Sequence, residues 1–480
     1  MHRFKSRRMI ALGITLLVVL GVAASVFSGL IALPARAATP AIVSHPVSVH
    51  PDMTPAGAPD NAVFGCQTNR GPSRIVCYSP QQIYQAYDIN GLHNSGISGQ
   101  GETIVIIDAF QNPQIQTDLS AFDSVFGLPA PTLNIYTPNG MTPWDPNDGN
   151  QTGWAGEIAL DVQWAHAIAP AATIDLVLAP SNQDQDLLNV TKWAVDNNIG
   201  DVISQSFGEN ENCVDPNLLK QEHAVFQEAT NKQITIFASS GDQGAAQQTC
   251  DGSSWTQVAS SPASDPLVTA VGATELFAAF DCSTAHPCPA GAPTPGTYDH
   301  EIALNEPAGQ FTQGNFSTGG GYSDLYTRPS WQVGVANTRD GSRGVPDVAY
   351  SGSINHGVIA SCGVCAGVSG PAFFVFGGTS AGSPQWAALI ALADQSAGHR
   401  LGFINDAIYK IGQTPGQAKK AFHDTTVGDN TVVEFDANNN PVNVQGFDAA
   451  TGWDATTGWG TPDAGEFVPA LIRFDQGASR

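Results

Sequence analysis

Phe374-Val-Phe-Gly-Gly-Thr-Ser-Ala-Gly-Ser-Pro-Gln385 joins an apolar approach, which Phe373 extends upstream, to an apolar helical run containing Trp386, Ala387, Leu389, Ile390 and Leu392. The break falls at Gly377-Gly378, where two residues without a Cβ let the backbone turn sharply. Thr379 and Ser380 follow at once. A serine at a helix start lies beside unpaired N–H groups and the positive end of the helix dipole, where negative charge is favoured. A serine nucleophile and the oxyanion it generates need that setting. The same placement also suits a plain serine N-cap on a buried helix. Partners elsewhere in the chain decide between the two.

Upstream of this stretch the pattern alternates. Residues 103–107 read as a β-branched strand ending at Asp108, and 118–126 as a helix. Residues 156–168 form a second helical stretch, ended by Pro170, before a strand at 173–178. Helical spacing at 184–197 and 218–231 alternates with strands at 202–206 and 234–238, and 268–271 is a further buried strand. Strands separated by helices of this length predict an α/β fold with a mostly parallel central sheet and helices on both faces. In such sheets the site lies outside the carboxyl ends of the strands, where Asp108, Ser206 and Asp242 all fall. Residues 281–345, with Gly319-Gly320-Gly321, read as long ordered loops. The helix after Ser380 runs to about Ser396, and the tail closes with loops around Asp424 and Asp454 and a short helix at 466–472. One domain is expected over 78–480, with no internal repeat.

Glu157 and Asp161 stand four apart, a spacing that puts both carboxylates on one face of a helix. Ile158, Ala159, Leu160 and Val162 around them point to a largely buried helix. Two buried neighbouring acids cannot both ionise cheaply, so one is held protonated to higher pH. A carboxylate in such a pair can take the proton of a serine hydroxyl in acid. The other reading is a solvated polar helix face. Asp242, in Ser239-Ser-Gly-Asp-Gln-Gly244, suits a turn; kept protonated, it can also donate a hydrogen bond to an oxyanion.

The chain of 480 residues carries a formal net charge of −24. Its first 37 residues hold five basic and no acidic side chains, which leaves 14 basic against 43 acidic, a net of −29. Such a surface is poorly suited to nucleic acid or anionic lipid. Arg3, Lys5, Arg7 and Arg8 precede an uncharged apolar run from Met9 to Leu33, and Ala35-Arg36-Ala37 fits a signal cleavage site. The expectation is a signal peptide over 1–37 and a secreted protein; an uncleaved membrane anchor is the alternative. Residues 38–77, rich in Pro, Ala and small polar residues, read as a linker or tied-down arm. Eight cysteines, all beyond residue 37, point to disulfides in an exported chain, and nearest-neighbour pairing is expected. Cys362-Gly-Val-Cys365 reads as a small loop staple rather than a metal or redox pair.

Three pieces together resemble one family. Gly378-Thr-Ser-Ala, the Glu157/Asp161 pair and Ser240-Gly-Asp242 are similar to the sedolisins, serine-carboxyl peptidases of subtilisin-like fold. Ile104-Val-Ile-Ile-Asp108, Ile168-Ala-Pro-Ala-Ala172, Val268-Thr-Ala-Val-Gly-Ala-Thr274 and Arg343-Gly-Val-Pro-Asp347 support it in consistent order over about 78–475. The resemblance implies Ser380 as nucleophile, Glu157 as its general base and Asp161 as the partner that tunes Glu157. Asp242 would stabilise the oxyanion with the Ser380 backbone N–H. It also implies one structural calcium ion, with Asp424 and Asp454 supplying side chains and Thr425, Ala450 and Gly452 supplying carbonyls. Ala450 stands where many relatives have glycine. About forty residues separate the expected cleavage site from Tyr78, fewer than the family's long folded prosegment. The expected protein is a monomeric endopeptidase acting on protein or peptide substrates at acidic pH.

Two rivals stay open. Asp108, His166 and Ser380 follow the chain order of a subtilisin-type triad, although Trp164-Ala-His166-Ala-Ile lacks a glycine-flanked setting and suits a core histidine. Outside that triad, Asp108 serves structure or a neighbouring subsite. The second rival is a secreted binding protein, catalytically silent on this scaffold.

Overall fold

The computed structural model describes residues 45–46, 53–57, 63–68, 75–280, 292–310 and 312–478. The expected signal peptide, with its alternative as an anchor, lies outside the described residues, as do Cys282 and Cys288. The described residues fall within one compact unit, residues 42–480.

A central sheet of eight strands organises the unit. Its strands are β1 (Thr103–Ala109), β2 (Thr132–Tyr136), β3 (Thr173–Ala179) and β4 (Val202–Gln205), then β6 (Thr235–Ser239), β7 (Thr269–Ala278), β8 (Tyr298–Ala303) and β9 (Val348–Ser351). The order is β8-β7-β6-β4-β1-β3-β2, and β9 also pairs with β7. Every pairing is parallel except β7 with β8. The inner strands are buried along their length, which explains their continuous Val/Ile character. A short strand, β5 (Phe207–Asn210), continues from β4 and pairs antiparallel with His45–Pro46 on one side and Ser260–Ser261 on the other.

Helices cover both faces, as the alternation predicts. The elements are α1 (Ile115–Phe126), α2 (Gly149–Ile168), α3 (Asp184–Asn197), α4 (Pro216–Asn231), α5 (Thr379–Ala397), α6 (Asn405–Gln413) and α7 (Ala464–Ala478). On one face α2 and α5 pack against each other and α7 packs on α5; on the other, α3 packs against α4. The helix read at 156–168 begins seven residues earlier, at Gly149, where the Asp148 side chain accepts from the Asn150 N–H as cap. From Gly153 to Ile168 every residue of α2 is buried. A helix apolar all round belongs inside, so the solvated-face reading of Glu157 and Asp161 is discarded.

One expectation needs correction, and one open pair of alternatives is decided. The stretch 281–345 is not only loop: among its described residues, β8 forms an antiparallel edge strand on β7, concealed in the sequence by polar Asp299, His300 and Glu301. The arm over 38–77 is no free linker where it is described: Met53–Pro55 pairs with Phe374–Phe376, and Val76–Tyr78 with His356–Val358. Disulfides join Cys66 to Cys77, Cys213 to Cys250 and Cys362 to Cys365, each to its nearest neighbour.

The strand Phe373–Phe376 delivers the chain to α5 across Gly377. A Cβ there would meet the Gly352 carbonyl oxygen at 2.6 Å and Ile354 Cγ1 at 2.7 Å. Gly377→Ala is therefore expected to lower folding stability by about 1–3 kcal/mol through overpacking, measured as a shift in urea midpoint; an unchanged midpoint would show that the strand has room to move.

Candidate active site

Ser380 is the second residue of α5. The N-cap is Gly378, with φ 104°, a conformation L side chains rarely adopt, and no side chain caps the helix. The plain N-cap reading of Ser380 is thereby discarded. Gly378 N donates to the Gly352 carbonyl at 2.6 Å, fixing the turn. Farther along, Ser383 Oγ meets Ser204 Oγ of β4 at 2.8 Å, and Trp386 Nε1 donates to the Ala349 carbonyl of β9 at 2.9 Å. These contacts clamp the helix start over the carboxyl ends of the strands.

Glu157 and Asp161 come from α2, which lies against α5. Asp108 comes from β1, Ser206 from the link between β4 and β5, and Asp242 from the turn after β6; all five residues are fully buried. Burial pushes the Glu157 carboxyl well above its usual range, and the negative charges of Asp161 and Asp108 push it further. Hydrogen bonding from Ser380 opposes that rise, and Asp242 adds a smaller push. Asp161 is pushed up to about 8 by burial, against the pull of Ser206 and Glu157. Asp108 is raised well above its range by burial and by Asp161.

The Ser380 hydroxyl thus reaches Glu157, yet neither Glu157 oxygen has a partner with full hydrogen-bond geometry, and the same holds for Asp161 and Asp108. Such contacts are often long or poorly aligned until substrate tightens them. Three carboxyls this close lose their protons in steps that belong to the group rather than to one residue. With one negative charge spread among them, one carboxyl remains able to accept a proton.

Asp242 is held by the residue before the serine. Its Oδ1 accepts from Thr379 N at 2.7 Å and from Thr379 Oγ1 at 2.8 Å. The structure therefore brings Ser380, Glu157, Asp161 and Asp242 into one buried site. His166 lies elsewhere: nine residues along α2 from Glu157, about 14 Å at 1.5 Å per residue, with Nε2 3.0 Å from the Pro129 carbonyl and 3.3 Å from Asp123 Oδ1. Asp108 joins the carboxyls rather than a histidine. Its position at a strand end was the signal that placed it near the site; its contact with Asp161 had none. Ser206 carried the same strand-end signal and Thr379 stood beside the serine, but only the fold sets them beside their acids.

Around the expected calcium ligands, Asp454 is buried and its Oδ2 accepts from Ala450 N at 2.9 Å, while Oδ1 accepts from Thr456 N and Thr457 N. Asp424 Oδ2 accepts from Gly452 N at 3.0 Å. Both carboxylates thus converge on one loop. The buried Thr425 Oγ1 beside them has no partner, and the donor set is wholly oxygen. These residues fit a hard cation, although among the described residues no three His, Cys, Asp or Glu side chains cluster as metal ligands.

A sheet of this order with a serine at the start of a buried helix defines a subtilisin-like fold, and the model for the subtilase family matches residues 141–460. Kumamolisin from Bacillus sp. (strain MN-32) is 31% identical over 366 residues, 74% of this chain and 58% of that protein. Sedolisin from Pseudomonas sp. (strain 101) is 30% identical over 413 residues, 82% of this chain and 61% of that protein. A solved Pseudomonas sedolisin, a serine-carboxyl proteinase complexed with two molecules of pseudo-iodotyrostatin, superposes with a TM-score of 0.66 at 27% identity, covering 83% of this chain and 99% of that one. The chain belongs to the subtilase family, within its sedolisin group. It spans roughly 60% of the length of the curated relatives kumamolisin and sedolisin.

Because Thr379 supplies both a backbone and a hydroxyl donor to Asp242 Oδ1, Thr379→Val is expected to cost about 1–2 kcal/mol of stability through the lost hydroxyl bond. Chemical denaturation at acidic pH reads it; an equal midpoint in the variant would show that the backbone N–H suffices.

Proposed function

We propose that this chain hydrolyses peptide bonds in acid as a serine-carboxyl peptidase. The observation that carries the reading is a buried serine hydroxyl facing a cluster of carboxyls, with the helix histidine turned toward Pro129 and Asp123 instead. Membership of the sedolisin group and the likeness to a serine-carboxyl proteinase support it.

In this reading Ser380 Oγ attacks the scissile carbonyl while its proton passes to Glu157. Asp161, and behind it Asp108, share the negative charge and set how basic Glu157 is. The tetrahedral oxyanion receives a hydrogen bond from the Ser380 N–H and one from protonated Asp242. Collapse of that intermediate breaks the C–N bond, and the Glu157 proton goes to the leaving amine. Water then attacks the acyl-enzyme, giving a proton to Glu157, which returns it to Ser380 Oγ as the ester C–O bond breaks and the acid product leaves. A carboxylate base and a protonated carboxyl donor coexist only in acid, so raising the pH removes the donor as it charges the cluster. An endopeptidase acting as a monomer on protein or peptide chains remains the proposal for substrate and assembly. Export as a secreted protein rests on the leader pattern ending at Ala37.

We further propose that Asp424 and Asp454, with carbonyls of Thr425, Ala450 and Gly452, hold one calcium ion. The ion would supply fixed positive charge between two carboxylates and tie the 450–454 loop to the segment at 424–425.

On a denatured protein substrate between pH 3 and 7, Ser380→Ala and Glu157→Gln are each expected to lose more than about a thousandfold in turnover with the fold intact. His166→Ala should keep acidic activity. A His166 variant that is inactive but folded would restore the triad. Chelation is expected to lower the unfolding temperature by several degrees, on the order of 2–8 °C per kcal/mol lost; an unmoved transition would argue against the ion.

A further inference from the structure

A second group of acids lies away from Ser380, where α3, β5 and α4 meet. Asp184 begins α3, Glu209 lies on β5, Glu222 on α4, and Asp265 follows the turn after Ser260–Ser261. Asp184, Glu209, Glu222, Gln205 and Ser261 line a cavity of about 30 Å³ whose remaining wall is largely apolar, room for one or two water molecules. Glu209 hydrogen-bonds to Asp184, carboxyl to carboxyl. Ser261 Oγ donates to Glu222 Oε2 at 3.2 Å. Gln205 is 1% exposed, and its Nε2 donates to Thr191 Oγ1 at 3.2 Å. Its Oε1 is enclosed without a partner, and so is Glu209 Oε1.

The charged and titratable groups facing this junction are nearly all acids. Asp184 faces Glu209 and Glu222 from α3, Glu222 faces Glu209 from α4, and Asp265 faces Glu222 from the loop. Tyr326 lies against Asp265, Glu222 and Glu211. A basic neighbour among the described residues is His223, whose Nδ1 is 2.7 Å from Asp265 Oδ2 on the outer side. If the acids are ionised, the cavity presents acceptors and little to donate to them. An ionised carboxylate only accepts, whereas a protonated one also donates.

We propose that protons hold this junction together: protonated Glu209 and Glu222 latch α3 and α4 onto β5, and keeping the latch closed costs the fold stability as the pH rises above the ordinary carboxyl range. Strand β5 begins one residue after Ser206, which sits beside Asp161, so opening the latch loosens the border of the candidate active site. The direction of titration agrees. Burial, then Asp184 and Glu222, push Glu209 up to about 10; burial and Asp265 push Glu222 up to about 8. Both folded values lie above the ordinary glutamate value of about 4.3, so the folded chain holds the extra protons. Stability is then highest in acid and is lost progressively as the pH climbs from about 4, up to about 8 for the Glu222 contribution and about 10 for that of Glu209. The claim stands apart from the roles of Ser380 and Glu157, because its readout is stability.

The test uses the full chain with Ser380→Ala, which removes self-digestion as a variable, and compares it with the same chain carrying Glu209→Gln and Glu222→Gln. Thermal unfolding is followed between pH 4 and 8. The expected result is similar unfolding temperatures at pH 4 and a higher value for the substituted chain at pH 7.5, because neutral amides cannot charge. The Asp161 cluster contributes equally to both. Parallel curves would overturn the proposal. If the double variant does not fold, Asp184→Asn alone is read in the same way. Added calcium or magnesium chloride at pH 7.5 provides a control. Stabilisation by the metal that Glu209→Gln abolishes would mean that a cation, not protons, holds the cavity, and the proposal would fail.

Discussion

A single constraint governs the active-site region: negative charge in a dry interior must be shared or neutralised. Asp108, Glu157 and Asp161 are all fully buried, and the charges that act on Glu157 come from Asp161, Asp108 and Asp242, all acids. Leaving three such groups ionised together would be costly, since an isolated buried charge is among the least favourable things a fold can contain. Retained protons relieve it, and they also make the site useful. A group that keeps its proton beside one that has lost it is an acid next to a base.

The scaffold concentrates that charge by geometry. A parallel sheet ends its strands on one side, so Asp108, Ser206 and Asp242 arrive together from β1, β4 and β6. Helix α2 adds Glu157 and Asp161 one turn apart, and α5 brings Ser380 over the same edge. A buried ion pair steadies the neighbouring connection. Arg343 meets Asp347 through two bonds of 2.8 and 2.6 Å, and Asp347 also accepts from Ala270 N and Tyr409 Oη. Removing either partner would strand a charge in the core, so this pair sets where β9 enters the sheet.

The second acid cluster gives the same physics a different consequence. Around Glu209 and Glu222 no nucleophile is at stake, and the protons act between helices and strand. In the proposed reading, two clusters of close carboxyls in one chain with 43 acidic residues make acid a condition of both the chemistry and the packing that supports it.

Much of this was legible along the chain. The period of the apolar runs specified a parallel sheet between two helical layers, the double glycine marked the turn into α5, and the i, i+4 spacing put Glu157 and Asp161 on one helix face. Such features are local, because backbone periodicity and glycine conformation depend on near neighbours. The tertiary structure alone decided that Asp108 joins the carboxyls, that Thr379 grips Asp242, that His166 turns away, and that the polar segment Tyr298–Ala303 pairs on the sheet edge. Each rests on contacts between residues tens to hundreds of positions apart. Burial and mutual distance set a carboxyl's charge state, and neither is written in the residues beside it.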